Sequence, residues 1–275
     1  MQFGMPTLVE NRTLEENIAL CKRLGLSFIE LNMNFPEYQL NRLERVNALL
    51  EAASSAGIYY TIHLDENLDI ANFNQLVSSA YLETVQRTID VAKKLIGLRD
   101  RYGDVSQPLV LNMHINHGIY ITLPNQKVQM YERNFDTYKS SYLLFRKLCE
   151  KWIGSADIVI SIENTDLFRY YERKVIEQLL QSPAFCLTWD IGHSKAAGER
   201  DRSFLETHQP KLCHFHIHDG TEAPPKNHLA LGDGEIELEK RLQLAKKRNA
   251  RCVLETKTAA ALEKSVHWLK QRNYL

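Results

Sequence analysis

The sequence predicts an α/β chain folded as a single (β/α)8 TIM barrel over residues 1–275, and three observations carry the prediction. Short apolar runs alternate with amphipathic stretches from one end of the chain to the other, which implies parallel strands joined by helices. Eight such runs can be counted, the number that closes a parallel sheet on itself. No Gly-rich phosphate loop follows an early strand, which disfavours the runner-up, a doubly wound open sheet.

The elements follow in order. Gln2 to Thr7 is a short first strand. Thr13-Leu14-Glu15-Glu16 is a capping box, and Leu14, Ile18, Cys21 and Leu24 follow at helical spacing until Gly25 stops the helix. Leu26 to Met33 reads as a strand, Leu43 to Ala53 as a helix ended by Gly57, and Ile58 to Leu64 as a strand. Val77, Tyr81, Val85, Ile89 and Ala92 mark a long helix, with Gly97 as its stop, before the strand Leu109 to His114. Gly118 to Tyr131 alternates apolar and polar residues about Pro124-Asn125-Gln126, which predicts a β-hairpin where a lid over a site would lie. Helices over about 138–152, 172–181, 237–248 and 259–271 then alternate with strands at Asp157–Glu163, Phe185–Asp190, Leu212–His218 and Cys252–Glu255, and a further helix follows Asp190. No linker or low-complexity stretch divides the chain.

Composition narrows the function classes. With 44% hydrophobic and 25% charged residues the chain can bury a large core. A formal net charge of zero argues against a general nucleic-acid binder, which carries a basic face. No apolar run reaches the length of a membrane span, and MQFGMPTLVENRT lacks the basic start and apolar core of a signal peptide. The expected location is the cytoplasm. Cys21, Cys149, Cys186, Cys213 and Cys252 show no pairing or zinc spacing and read as buried thiols.

The chemistry concentrates at the strand ends. His63, His114, Glu163, Asp190, His216 and Glu255 each close a strand, with His193 just beyond Asp190. In a parallel barrel the strand C-termini gather on one face, so these distant residues converge. Two residues earlier stand Thr61, Asn112, Ser161, Thr188 and His214, small or polar side chains that share the same face by alternation. Imidazoles and carboxylates together suit a divalent ion such as Mn²⁺ or Zn²⁺ better than Ca²⁺. One ion or two fits the residue count, and Glu163 is the natural bridge between two. His214, His216 and His218 alternate in one strand; a strand usually supplies one ligand, so His214 and His218 read as supporting or core residues. Glu30 ends a strand without a ligand match and reads as half of a salt bridge. Asn116 and His117, or Tyr120 and Tyr131 of the hairpin, meet substrate or pack on loops.

The ordered motifs IHLDENLDIAN, IENT, DIGH, HIHDG, HLALGDGEI and LET resemble the xylose-isomerase-like barrels, which include ketose 3-epimerases and endonuclease IV. The resemblance covers nearly the whole chain. It implies a metal held by Glu163, Asp190, His216 and Glu255, with Glu163 and Glu255 as the acid/base pair. It makes His193 a substrate contact, and His63 and His114 ligands of a further metal in the endonuclease pattern. His228 matches another metal ligand there. Lys226 stands where that pattern has an aspartate, and with Lys257 it is a candidate contact for a substrate phosphate or carboxylate. The implied function is a divalent-metal-dependent sugar or sugar-phosphate isomerase or epimerase, working by proton transfer through an enediolate. The alternative is a two-metal phosphoester hydrolase of the endonuclease IV kind, disfavoured by the acidic loop Asp65-Glu66-Asn67. A small sugar is the expected partner; assembly into homo-oligomers is left open.

Overall fold

The computed structural model describes residues Met1–Leu275. Eight parallel strands close into a barrel: β1 (Gln2–Pro6), β2 (Phe28–Asn32), β3 (Tyr59–His63), β4 (Leu109–His114), β5 (Ile158–Glu163), β6 (Phe185–Asp190), β7 (Leu212–Ile217) and β8 (Arg251–Leu254). Each strand pairs with its sequence neighbours, and β8 pairs back to β1 through Gln2–Arg251, Phe3–Cys252 and Gly4–Val253. Outward-facing aliphatic residues such as Ile62, Leu111, Ile160, Ile162 and Leu187 are fully buried under the helices. Each such side chain contributes about 1.5–3 kcal/mol on burial, which seats the helical ring on the barrel.

Local signals account for the first helix. Leu14–Leu24 starts at a complete capping box between Thr13 and Glu16 and ends at Gly25, whose φ of 76° is the left-handed conformation that glycine adopts freely. The next long helix differs from the expectation at Gly97, for it runs on from Gln75 to Tyr102. Nothing crowds Gly97, whereas Leu95, Leu98 and Arg99 are buried around it, so tertiary packing outweighs the small helix penalty of one glycine.

Two hairpins decorate the C-terminal face. Tyr120–Leu123 and Gln126–Gln129 pair antiparallel, as the alternation predicts. The stretch after β7 is a second hairpin, of Asp219–Glu222 and Pro225–Leu229. The expectation of five unpaired cysteines is also corrected. Cys186 and Cys213 form a disulfide between β6 and β7, while Cys21, Cys149 and Cys252 are free and buried. Sequence separation carries no hint of this pair: adjacency in the barrel, and a register shift between Leu187 and Thr188, bring the two Cα atoms to 6.2 Å. No helix is long and apolar enough to cross a membrane.

Candidate metal centre and active-site cavity

The barrel interior is lined with polar side chains that satisfy one another. Ser161 Oγ lies 2.6 Å from Thr188 Oγ, Thr188 donates to Asn112 Oδ1 at 2.6 Å, and Asn112 Nδ2 donates to Glu163 Oε2. All these residues are buried, and a dry interior tolerates them only because they are partnered. The residues two positions below the strand ends are therefore a supporting scaffold.

Glu163, Asp190, His216 and Glu255 come together above it, their donor atoms all within 4.8 Å of one another. The orientation of His216 is set from below. Its Nε2 donates to Glu30 Oε1 at 2.8 Å, while Glu30 Oε2 accepts from His214 Nε2 and Thr61 Oγ, both at 2.9 Å. His216 Nδ1 consequently faces the cluster, 2.9 Å from Glu163 Oε1 and 3.1 Å from Glu255 Oε2. Neither Nδ1 nor Glu255 Oε2 has a hydrogen-bond partner, although both are buried. These atoms converge on shared space and not along one another's bond directions, as ligands around a cation do. Burial alone would raise both glutamates and lower His216; their mutual attraction outweighs it, so both carboxyls lie well below the usual range and His216 well above. The charge favoured on His216 offsets that of the carboxylates around it. One imidazole nitrogen and three carboxylates also fit a divalent ion, which would take over that charge.

A second group adjoins the first. His63, Glu66 and His114 offer donor atoms within 4.8 Å of one another. His63 Nδ1 donates to the Leu64 carbonyl at 2.8 Å, which leaves Nε2 directed at Glu163 Oε2, 3.4 Å away; His114 Nε2 is 3.1 Å from the same oxygen. Burial opposes charge on His63, but Glu163 outweighs it and raises the imidazole to about 9. Glu163 thus faces one group through each oxygen, His216 through Oε1 and His63 with His114 through Oε2.

A third group consists of His193, His218 and His228. Asp190 caps the short helix Ile191–Ala196 by accepting from His193 N at 2.6 Å. His228 Nδ1 is 2.9 Å from the Glu255 carbonyl, and burial pushes this imidazole down to about 4, so it is neutral at pH 7.

All three groups open on a cavity of about 650 Å³. Among its walls are Glu66, Asn116, His117, Asp166, His193, His228 and Lys257. Lys257 is already engaged, its Nζ 2.9 Å from Glu255 Oε1. Lys226 is exposed on the second hairpin and does not line the cavity; its neighbour Asn227 reaches His193, at 3.2 Å from Nδ1. His228, one residue further on, lines the cavity, its φ of 54° breaking the simple alternation of the strand. The first hairpin meets the cavity only at its root, Gly118: Tyr120 faces a neighbouring groove, and Tyr131 is buried, donating to Asp69 Oδ2 at 2.6 Å. Glu30 forms the ion pair expected of it, but its partners, and so its part in aiming His216, were not foreseen. The one available signal was a carboxylate at an inward strand position, where burial demands a partner. Asp166 was missed too, because it lies in a loop with no periodicity.

A structure described as a D-tagatose 3-epimerase-like protein superposes with a TM-score of 0.74 at 21% identity, covering 98% of this chain and 96% of that one. A 3-keto-D-glucoside 4-epimerase from E. coli gives 0.71 at 15% identity, with 98% and 99% covered. A D-psicose 3-epimerase from Clostridium cellulolyticum gives 0.70 at 13% identity, with 100% and 99% covered. At these identities the likeness establishes the shared fold. Sequence comparison with curated proteins gives no match. Residues 18–272 match the family described as xylose isomerase-like TIM barrel, and the chain belongs to that family.

Proposed function

We propose that this protein is a divalent-metal-dependent sugar isomerase or epimerase, with Glu163, Asp190, His216 and Glu255 holding the metal and Glu163 and Glu255 exchanging protons with the substrate. The observation that carries the reading is the unpartnered His216 Nδ1, aimed by Glu30 into a ring of carboxylates. The similarity to two sugar epimerases and to a protein described as D-tagatose 3-epimerase-like supports the reaction class. When bound, the metal would polarise a substrate carbonyl and its neighbouring hydroxyl.

The chain's own residues would do the rest. One glutamate takes the proton from the carbon beside the carbonyl, giving an enediolate, and the other returns a proton. Asn112 and His114 hold Glu163 through Oε2, leaving Oε1 directed into the site. Lys257 holds Glu255 through Oε1. His193 and His228 orient the substrate from the cavity wall. The Glu66 carboxylate faces the cavity, while the cavity's lysine is paired with Glu255 and its His117 with Asp166 and Glu172, so the electrostatics favour an unphosphorylated sugar.

A second reading rests on the His63–Glu66–His114 group, which would hold a further ion beside Glu163 and suits phosphoester hydrolysis. Elemental analysis of protein purified without chelators, followed by assays on ketoses, their phosphates and abasic-site DNA, separates the two. About one ion per chain with ketose turnover supports the isomerase. Two or more ions with DNA cleavage supports the hydrolase. Protein that takes up no metal sinks both.

A further inference from the structure

His218 stands one residue beyond β7, fully buried, and at first sight completes a three-histidine group with His193 and His228. Its hydrogen bonds say otherwise. Nδ1 lies 2.7 Å from the backbone nitrogen of His228, which has only a hydrogen to offer, so Nδ1 is the acceptor. A hydrogen on Nδ1 would point it at the Asp219 carbonyl, 3.3 Å away, but would collide with the closer His228 amide hydrogen. The ring proton is therefore on Nε2, which lies 3.0 Å from Asp190 Oδ2. One tautomer accounts for both contacts, and it leaves His218 no free lone pair for a ligand.

We infer that His218 is a positioning residue: it fixes the Asp190 carboxylate in the metal site and ties the second hairpin to that carboxylate, and it is not itself a metal ligand. The inference rests on the metal-site reading proposed above. Asp190 is clamped at both oxygens, Oδ1 by His193 N and Oδ2 by His218 Nε2, so it cannot rotate about its terminal bond. The remaining lone pair of Oδ2 is free toward the cluster, where His216 Nδ1 lies 3.9 Å away. Three of the four candidate ligands thus carry a dedicated partner on the side away from the cavity: Glu30 behind His216, Asn112 beneath Glu163, and His218 behind Asp190. Partners of this kind set ligand orientation and typically change metal affinity 10–100-fold when removed.

The space for this ring is built into the sequence. A Cβ added to Gly192, in the first turn after Asp190, would fall inside the His218 imidazole. The glycine of DIGH and the second histidine of HIHDG are therefore one complementary unit. The same ring anchors His228, whose φ of 54° is left-handed, and so places His228 at the cavity wall, with Asn227 beside it on His193. Metal ligand geometry and cavity shape are coupled through one side chain.

The test compares the full-length parent with His218→Ala, His218→Gln and Gly192→Ala. Mn²⁺ affinity is measured by chelator competition, the thermal midpoint of the metal-free protein by circular dichroism, and the ring tautomer by ¹⁵N imidazole spectra. Positioning predicts that His218→Ala and Gly192→Ala bind Mn²⁺ about 10–100-fold more weakly. His218→Gln, whose amide can reach Asp190 as a donor, should recover most of that loss although its metal-free midpoint falls as far as that of His218→Ala. The parent ring should show the Nε2–H tautomer. The inference is overturned if folded His218→Ala keeps parental Mn²⁺ affinity, if the ring carries its hydrogen on Nδ1, or if zinc titration shows an extra ion that only the His218 variants lose. A parent that binds no metal overturns the metal-site reading together with this inference; a parent that binds while His218→Ala is unaffected overturns this inference alone.

Discussion

Glu30 and His216 lie 186 positions apart in sequence, yet the Glu30 carboxylate accepts from His216 Nε2 at 2.8 Å in the buried barrel interior. That bond decides which nitrogen His216 presents to the other candidate ligands. Burial works against a charged Glu30, but His216 and His214 outweigh it and hold its carboxyl far below the usual range. Glu30→Gln replaces one acceptor oxygen by a donor that one of the two histidines must face. The expected result is at least a tenfold loss of Mn²⁺ affinity and a stability loss on the order of 3–5 kcal/mol. Titration calorimetry and urea unfolding measure the two; unchanged affinity would remove Glu30 from the metal site.

Glu163 and Glu255 carry the proposed proton transfers. Glu163→Gln and Glu255→Gln should each lower kcat by about 10²–10⁴-fold on any sugar that the parent turns over. Solvent deuterium incorporation at the carbon beside the carbonyl is the diagnostic readout. A variant that still exchanges that proton at the parental rate would assign the step to another group.

The two lysines separate by position. Lys226 is exposed on the second hairpin, so Lys226→Ala should leave KM for ketoses and for their phosphates within about twofold, as is usual for surface changes. Lys257 holds Glu255 Oε1, and Lys257→Ala should lower kcat on an unphosphorylated sugar by releasing that carboxylate. A selective rise in KM for a phosphorylated sugar in Lys226→Ala would restore Lys226 as an anion contact and count against the neutral-sugar preference.

His117 supplies a pH dependence distinct from the metal site. Its ring bridges Glu172 Oε1 at 2.7 Å and Asp166 Oδ1 at 3.0 Å. Burial opposes its charge, but Asp166 and Glu172 outweigh this and raise it to about 9, above the ordinary 6.5. A group whose folded value is raised contributes stability that is complete below the unfolded value and is lost as pH rises through the folded one. The thermal midpoint should therefore fall between about pH 6.5 and pH 9 more steeply for the parent than for His117→Gln. Parallel curves over that window would show that His117 is not charged in the native state.

Much of this was legible in one dimension. The apolar alternation counted the strands, Thr13 and Glu16 marked a helix start that the structure repeats, and the strand-end residues named the donors. The misses share a cause. Gly97 read as a stop because propensity was weighed without the packing of Leu95 and Leu98. The Cys186–Cys213 pair and the reach of Asn227, not Lys226, to His193 depend on strand adjacency and backbone geometry, which residue types do not encode locally.

By itself the sequence determined the period of each element and the chemical identity of the groups at the strand ends, because both follow from local side-chain pattern. Only the tertiary structure decided which of those groups share a cluster, which nitrogen each imidazole presents, and which carboxylate stands behind it. Those are properties of distances across the barrel, set where parallel strands close on themselves and bring Glu30, Glu163, His216 and Glu255 into one buried cluster.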